Sequence, residues 1–218
     1  MIIKVGLVIY ACIAMFHLVA AFKENNLLRK ISKPFLTGTL FISFLIYMIV
    51  NKKFDIYILL ALFCGLVGDI ILLFQEKKLF FTIGGVSFFI GFVLYIVKMI
   101  LWMPFTFGWY FYLILIVSLG LWCLLTYNKF KPYLKQLTVC CSIYSFILLV
   151  GIALSLSVIL VAKSKFSIMV SLGFMLFVLS DAILVYSVFI KKIKRSHFYL
   201  MIPYILAQAC ISVGLFYL

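Results

Sequence analysis

The sequence consists of long apolar runs separated by short breaks that carry most of its basic residues. A helix of about 20 apolar residues crosses the hydrocarbon core of a bilayer. Hydrophobic residues make up 68% of the chain and charged residues only 11%, whereas soluble domains average about 45–50% and 25%. The runs are continuous rather than alternating, which argues against a membrane β-barrel. The chain is therefore predicted to be an all-α, polytopic membrane protein.

The apolar runs predict a bundle of about eight transmembrane helices that forms a single domain over residues 1–218. The predicted spans are residues 3–22, 34–50, 55–74, 79–101, 109–126, 137–161, 167–190 and 197–218. Such short connections leave almost no room for a soluble domain. Any activity is therefore expected within or beside the membrane.

Basic residues are unequally divided between the two sides of the predicted bundle. The breaks after the odd-numbered spans contain 13 Lys and Arg, whereas the N-terminus and the other breaks contain 5. The positive-inside rule then places both termini on the non-cytoplasmic side. A net charge of +14 would suggest nucleic acid as the partner of a soluble protein, but here anionic lipid is the expected partner. A bacterial plasma membrane is the expected location, and the oligomeric state is left open.

Two of the five acidic residues, Asp69 and Asp181, lie inside apolar runs. A carboxyl group within a span costs several kcal/mol and indicates a functional site by default. At 1.5 Å per residue, the two acids lie about 12 and 15 Å from the inner basic residues, and so at similar depth. The other acids, Glu24, Asp55 and Glu76, lie at helix ends or in breaks and are expected to be solvated.

Small residues flank both buried acids and would allow a neighbouring helix to approach closely. They are Gly65, Gly68, Gly173 and Ser180. Whether the third and seventh spans touch is left open. Other polar residues at a similar level predict a polar cavity that opens towards the cytoplasm. They are His17, Lys33, Tyr144, Tyr204 and Gln208, with Lys33-Pro34 expected at the start of the second span.

Two buried carboxyl groups can perform acid/base chemistry. Desolvation disfavours an ionised carboxyl and a neighbouring carboxylate disfavours it further, so one acid can stay protonated while its partner is ionised. The two histidines, His17 and His197, form no ligand-spaced cluster, so neither a metal nor another cofactor is predicted. A nucleophile elbow for Ser-His-Asp catalysis is absent. An intramembrane aspartyl protease is disfavoured because position 66 is Leu where the GxGD motif has Gly.

Several short motifs follow one another along the chain. They are Lys33-Pro34, Gly68-Asp69-x-x-Leu72, Gly84 with Phe89 to Tyr95, Tyr144, Leu176-Phe-x-x-Ser180-Asp181-x-x-Leu184 and Tyr204-x-x-Ala207-Gln208. In order, spacing and placement they resemble the YhhN-like lysoplasmalogenase family of multi-spanning membrane proteins, from about Lys33 to Gly214. One position departs from the family pattern, because members often carry a His three residues before Tyr95 and this chain has Phe92.

The resemblance implies hydrolysis of the vinyl-ether bond of lysoplasmalogens, which are lysophospholipids, without a cofactor. It implies that Asp69 and Asp181 are catalytic. The motif residues expected to bind substrate are Lys33, Tyr144, Ser180, Tyr204, Gln208 and Tyr95. His17 is added to this set because it lies at a similar depth in the membrane. Two alternatives remain at this point. One is a proton-coupled transporter or lipid-handling protein in which the Asp pair carries protons, and the other is an inactive homologue, suggested by Phe92.

Overall fold

The computed structural model describes residues 2–102, 138–162, 165–191 and 193–217, together with 108, 110, 112, 113, 115–118 and 120–122. Seven helices within these residues are long and apolar enough to cross a membrane. They are α1 (Ile2–Phe22), α2 (Asn26–Asn51), α3 (Ile56–Ile71), α4 (Lys78–Trp102), α5 (Thr138–Ala162), α6 (Lys165–Val185) and α7 (Ser196–Tyr217). A 3-10 turn, Leu72–Phe74, extends α3, and a π-helical turn, Tyr186–Ile190, extends α6.

The predicted all-α, polytopic helix bundle is confirmed, since the described residues contain no strand. The fifth predicted span, residues 109–126, lies largely outside the described residues. Those of its residues that are described, between 110 and 122, are helical.

The second helix begins at Asn26, eight residues before its predicted start. Asn25 caps it, because the side-chain oxygen of Asn25 accepts a 3.1 Å hydrogen bond from the backbone N–H of Leu28. Pro34 therefore lies inside α2, and the prediction that Lys33-Pro34 marks the start of the span is wrong. Membrane helices tolerate an internal proline where neighbouring groups satisfy the freed carbonyl. The sequence was misleading here because the polar cap and the basic first turns resemble a loop.

The last helix, α7, lies at the centre of the bundle. Over its most apolar stretch of 18 residues, 67% of the residues are buried, compared with 28–39% over the corresponding stretches of the other six helices. It packs on α6 and also contacts α1, α2, α3 and α4. Each of the remaining described helices packs on the next one described along the chain. The helices that bear the two membrane-embedded acids are therefore arranged around a common central helix.

Small residues allow α3 and α6, which bear the two acids, to pack closely on other helices and not on each other. No extended contact joins α3 and α6; α6 packs on α7, and Phe88 of α4 contacts Phe177 of α6. A Cβ atom at Gly173 of α6 would lie 2.9 Å from the backbone nitrogen of Ile211 in α7. A Cβ atom at Gly68 of α3 would lie 2.7 Å from the ring of Phe88 in α4. The small residues thus allow close packing of α6 on α7 and of α3 on α4.

The turn between α2 and α3 holds an acid that the sequence analysis treated as simply solvated. One carboxylate oxygen of Asp55 accepts a 3.2 Å hydrogen bond from the backbone N–H of Ile58 and so caps α3. The other oxygen forms an ion pair with Lys98 of α4. Asp55 is half-buried, so the expectation of a solvated charge is wrong at this position. Glu24 and Glu76 are exposed as expected.

Large apolar side chains cover the outside of the bundle, as expected for a surface in contact with lipid tails. Exposed examples from five helices are Val8, Phe16, Phe35, Ile46, Leu60, Ile90 and Ile168. Inside, Phe44, Leu62, Phe92, Phe174 and Ile211 are among the fully or almost fully buried core side chains. Apolar side chains therefore face both lipid and core, and the polar residues inside the bundle are exceptions that call for an explanation.

Candidate active site

A cavity of about 1250 Å³ opens at the end of the bundle where the α1–α2, α3–α4 and α6–α7 turns lie. Its rim includes Glu24, Gln75 and Arg195 from these turns, and its deeper walls include Leu148 and Phe177. Pockets for small molecules usually measure about 300–1000 Å³. The cavity is therefore large enough for a single-chain lipid, with a polar rim and an apolar interior.

Seven of the nine residues predicted to form the site line this cavity. They are Asp69, Asp181, His17, Lys33, Tyr144, Ser180 and Tyr204. Tyr95 and Gln208 do not line it. Tyr95 is buried in the core of α4, and its hydroxyl has no hydrogen-bond partner among the described residues. Gln208 is buried behind Tyr204.

Asp69 on α3 is fully buried and is held by three groups from two other helices. Its Oδ2 atom accepts a 2.6 Å hydrogen bond from the hydroxyl of Thr37 and a 2.5 Å hydrogen bond from the hydroxyl of Tyr204. The ammonium of Lys33 lies 3.5 Å from its Oδ1 atom. Two donors and one cation all stabilise the ionised carboxylate, and they oppose the cost of burying its charge.

Asp181 on α6 has a different environment. Its Oδ2 atom accepts one hydrogen bond, 2.7 Å long, from the hydroxyl of Tyr144 on α5. No cation of the described residues forms an ion pair with it, and its side chain is only half-buried because it borders the cavity. A single neutral donor stabilises an ionised carboxylate less than two donors and a cation do. The two acids therefore differ in how strongly their neighbours stabilise a negative charge.

A polar chain extends from Asp69 into the central helix. The side-chain amide of Gln208 donates a 3.3 Å hydrogen bond to the hydroxyl of Tyr204, which in turn donates to Asp69. Gln208 lies one turn after Tyr204 on α7, so the helix itself fixes their relative positions. Gln208 therefore positions Tyr204 rather than contacting the cavity.

Aromatic rings pack against the two tyrosines that donate hydrogen bonds to the acids. The ring of Phe88 on α4 lies 5.8 Å from that of Phe177 on α6 and 6.1 Å from that of Tyr204 on α7. Phe92, one turn after Phe88, packs on Phe177 and on the ring of Tyr144 with centroid distances of 4.5 and 6.2 Å. Phe92 thus lies behind the Tyr144–Asp181 hydrogen bond, where an imidazole would meet apolar rings.

His17 on α1 and Ser180 on α6 use hydrogen bonds to neighbouring helices. The hydroxyl of Ser32 donates to the carbonyl of Leu28, so its oxygen accepts the 2.7 Å hydrogen bond from Nδ1–H of His17. This tautomer leaves Nε2 of His17 as an acceptor. The hydroxyl of Ser180 donates a 3.0 Å hydrogen bond to the carbonyl of Leu200, which ties α6 to α7. Ser180 thus has a structural role beside the acid that follows it.

Sequence reasoning missed Thr37, which contacts Asp69 directly. The signal that could have found it is the spacing of four residues between Lys33 and Thr37, which places both on one face of a helix. Because the predicted second span starts at residue 34, it places Lys33 in a loop and does not reveal this face. Within the described residues no three His, Cys, Asp or Glu side chains converge as metal ligands would.

A helical membrane bundle with a lipid-sized, acid-bearing cavity defines the class of this protein as a polytopic integral membrane protein with a buried polar site. Residues 28–215 match the YhhN family. Since this match covers most of the chain, the protein belongs to the YhhN family. No curated protein and no solved structure matches it.

Proposed function

We propose that this protein is a membrane-embedded hydrolase that cleaves the vinyl-ether bond of lysoplasmalogens to a fatty aldehyde and a glycerophospho-base. The observation that carries this proposal is that two carboxyl groups with opposite surroundings line one lipid-sized cavity. Vinyl-ether hydrolysis begins with proton transfer to a carbon atom, which requires a desolvated general acid. It proceeds through a cation, which a fixed carboxylate stabilises.

The hydrogen bonds of the two acids support an assignment of roles. Asp181 is the general acid, because Tyr144 occupies only its Oδ2 atom and leaves Oδ1 to carry the proton. Asp69 is the carboxylate, because Thr37, Tyr204 and Lys33 all stabilise its negative charge.

The proposed reaction balances with water as the only co-reactant. Asp181 gives its proton to the β-carbon of the vinyl ether, and the positive charge that develops at the α-carbon is stabilised by Asp69. Water adds to the α-carbon and loses a proton to a carboxylate. The resulting hemiacetal then transfers its hydroxyl proton to the carboxylate pair and breaks its bond to the glycerol oxygen, which is protonated in turn. Aldehyde and glycerophospho-base leave, and Asp181 is again protonated.

The leading alternative is a transporter in which the acids carry protons. The cavity reaches the turns at one end of the bundle, whereas Asp55 and Lys98 form an ion pair at the opposite end. Among the residues that the structure describes, this cavity opens at one end, which favours an enzyme that admits and releases molecules on the same side. The polar rim lies among the basic turns, which supports a cytoplasmic entrance in a bacterial plasma membrane.

The test is aldehyde release from lysoplasmalogen by purified protein in detergent, without any gradient. Asp69→Asn and Asp181→Asn should each lower kcat by at least about a thousandfold, since each removes a group that acts in the transition state. Asp55→Asn is the matched control, because Asn caps a helix as well as Asp and Asp55 lies far from the cavity rim. Full activity in either cavity variant, or proton-coupled flux in liposomes without covalent product, would contradict the proposal.

A further inference from the structure

Four nitrogen-bearing side chains from three helices meet at the mouth of the cavity. They are His17 of α1, Arg29 and Lys33 of α2, and His197 of α7, and all four line the cavity. The charges of Arg29 and Lys33 act on both imidazoles. His197 and Arg29 are both half-buried.

Negative charge near this cluster is limited. Glu24 acts on Arg29, but its carboxylate also accepts a 3.2 Å hydrogen bond from the backbone N–H of Arg195. Asp69, which lies deeper in the cavity, forms an ion pair with Lys33. Further cations, Lys30, Lys191 and Arg195, lie on the same rim. The mouth of the cavity therefore has a surplus of positive charge that faces the interior of the cavity as well as water.

The register of α2 connects this cluster to the acid deeper in the cavity. Arg29, Lys33 and Thr37 follow one another at intervals of four residues and so lie on one face of α2. Each interval rises about 6 Å along the helix. Thr37 contacts Asp69 and so marks the depth of that acid. Relative to Thr37, Lys33 lies about 6 Å and Arg29 about 12 Å nearer the mouth of the cavity.

We propose that Arg29, Lys33 and His197 form a subsite for the phosphate group of a lysophospholipid. This inference rests on the proposed function for the choice of a lysophospholipid over other phosphate esters. A guanidinium presents several N–H donors in a geometry that suits phosphate oxygens, and a Lys ammonium adds a point charge. The imidazole of His197 supplies a further donor to the same anion.

The dimensions of the lipid agree with this placement. In a lysoplasmalogen, five bonds separate phosphorus from the vinyl-ether oxygen, which spans about 6–7 Å at ordinary bond lengths. A phosphate between Arg29 and Lys33 therefore places the vinyl ether near the level of Thr37 and Asp69. The alkenyl chain of the lipid then continues among the apolar residues of the deeper walls, such as Leu148 and Phe177.

The test measures binding of saturated lipids that cannot undergo vinyl-ether cleavage. The probes for the full-length protein in nonionic detergent are a saturated lysophosphatidylethanolamine, a monoacylglycerol of the same chain length, sn-glycero-3-phosphoethanolamine and inorganic phosphate. The wild type should bind the lysophospholipid at least about tenfold more tightly than the monoacylglycerol, because charge-assisted hydrogen bonds form only with the phosphate.

Arg29→Gln and His197→Gln should each lower this affinity ratio severalfold and leave the Kd for monoacylglycerol unchanged. That unchanged Kd also shows that the variants are folded. The control is Lys53→Gln, since Lys53 is an exposed cation in the α2–α3 turn, away from the cavity, and it should keep the wild-type ratio.

An unchanged ratio in both cavity variants would overturn the proposal and leave these charges with a role in membrane orientation only. Inorganic phosphate or glycerophosphoethanolamine that bound as tightly as the lysophospholipid would also overturn it in favour of a free-anion site. The saturated lipids contain no vinyl ether, so their binding does not depend on the proposed reaction. If the wild type shows the expected binding ratio but releases no aldehyde from lysoplasmalogen, the proposed reaction is contradicted and the phosphate subsite is not.

Discussion

The hydroxyl of Tyr204 donates a 2.5 Å hydrogen bond to Oδ2 of Asp69, across the contact between α7 and α3. The central helix thereby contributes directly to the charge state of the carboxylate. Because Thr37 shares the same oxygen atom, the two hydroxyls hold the carboxylate in a single orientation. The proposed reaction depends on this orientation, because a carboxylate stabilises a developing cation only from a fixed position.

Tyr204→Phe should lower kcat for aldehyde release about tenfold while the protein stays folded, because a hydrogen bond to a charged group is lost. Tyr10→Phe is the matched control. Tyr10 is also buried and its hydroxyl donates one 2.7 Å hydrogen bond, to the carbonyl of Ile205, outside the cavity. That control should lower thermal stability slightly and leave kcat unchanged. Equal losses of activity in the two variants would mean that Tyr204 only stabilises the fold.

Lys33→Met should lower the free energy of unfolding by about 3 kcal/mol, because it leaves the buried Asp69 without its counter-charge. The double variant Lys33→Met/Asp69→Asn should recover most of this loss, since the unpaired charge is then absent. Thermal or denaturant unfolding in detergent measures both effects.

The ion pair between Lys98 and Asp55 serves as the comparison for the Lys33→Met prediction. Side chains of Lys98 and Asp55 are 26% and 18% exposed, against 17% and 1% for Lys33 and Asp69. Lys98→Met should therefore cost about 1 kcal/mol or less, as for more exposed pairs. A Lys33→Met variant as stable as Lys98→Met would show that Asp69 is not charged in the native protein.

Phe92→His should lower the stability of the protein by about 1–3 kcal/mol, because it buries a polar ring among Tyr144, Phe174 and Phe177. The wild type should be active, because both acids and their donors are in place without a histidine at this position. Phe92→Leu, which stays apolar, is the control for loss of packing. A large gain in kcat for Phe92→His without loss of stability would mean that the wild type lacks a catalytic group.

Gly68→Ala should lower both stability and kcat. Its Cβ atom would lie 2.7 Å from the ring of Phe88, which must move, and Phe88 packs against Tyr204 beside Asp69. Overpacking of this kind costs about 1–3 kcal/mol. Gly85→Ala is the control, because a Cβ atom there meets nothing within 4 Å although Gly85 also lines the cavity. Similar melting temperatures for the two variants would contradict the predicted clash.

The sequence was sufficient to predict the helical bundle and most cavity residues, because polar groups in apolar runs are rare and their distance from the basic breaks gives their depth. It was insufficient where side-chain partners decide the outcome. Asp69 and Asp181 have similar sequence surroundings, yet among the described residues Asp69 has a cation and two hydroxyl donors whereas Asp181 has one hydroxyl donor. The partners of Asp69 come from other helices, and Tyr204 is 135 residues away in the chain, so local sequence does not reveal them.

The early start of α2 and the position of Tyr95 have local physical causes. The cap formed by Asn25 allowed α2 to begin early, which moved Lys33 from a loop onto a helical face. Tyr95 was grouped with the cavity residues by its motif, but its direction around α4 turns it into the core. Motif order thus identified the correct helices, whereas rotation of each helix about its axis determined which side chains reach the cavity.

The polarity gradient of the cavity has a consequence for the products of the proposed reaction. A glycerophospho-base has no affinity for hydrocarbon and leaves through the polar rim to water. A long-chain aldehyde has little solubility in water and remains with the apolar walls until it enters the bilayer. The two products therefore separate into different phases as they depart, and their dilution into water and lipid opposes the reverse reaction without any moving part in the protein.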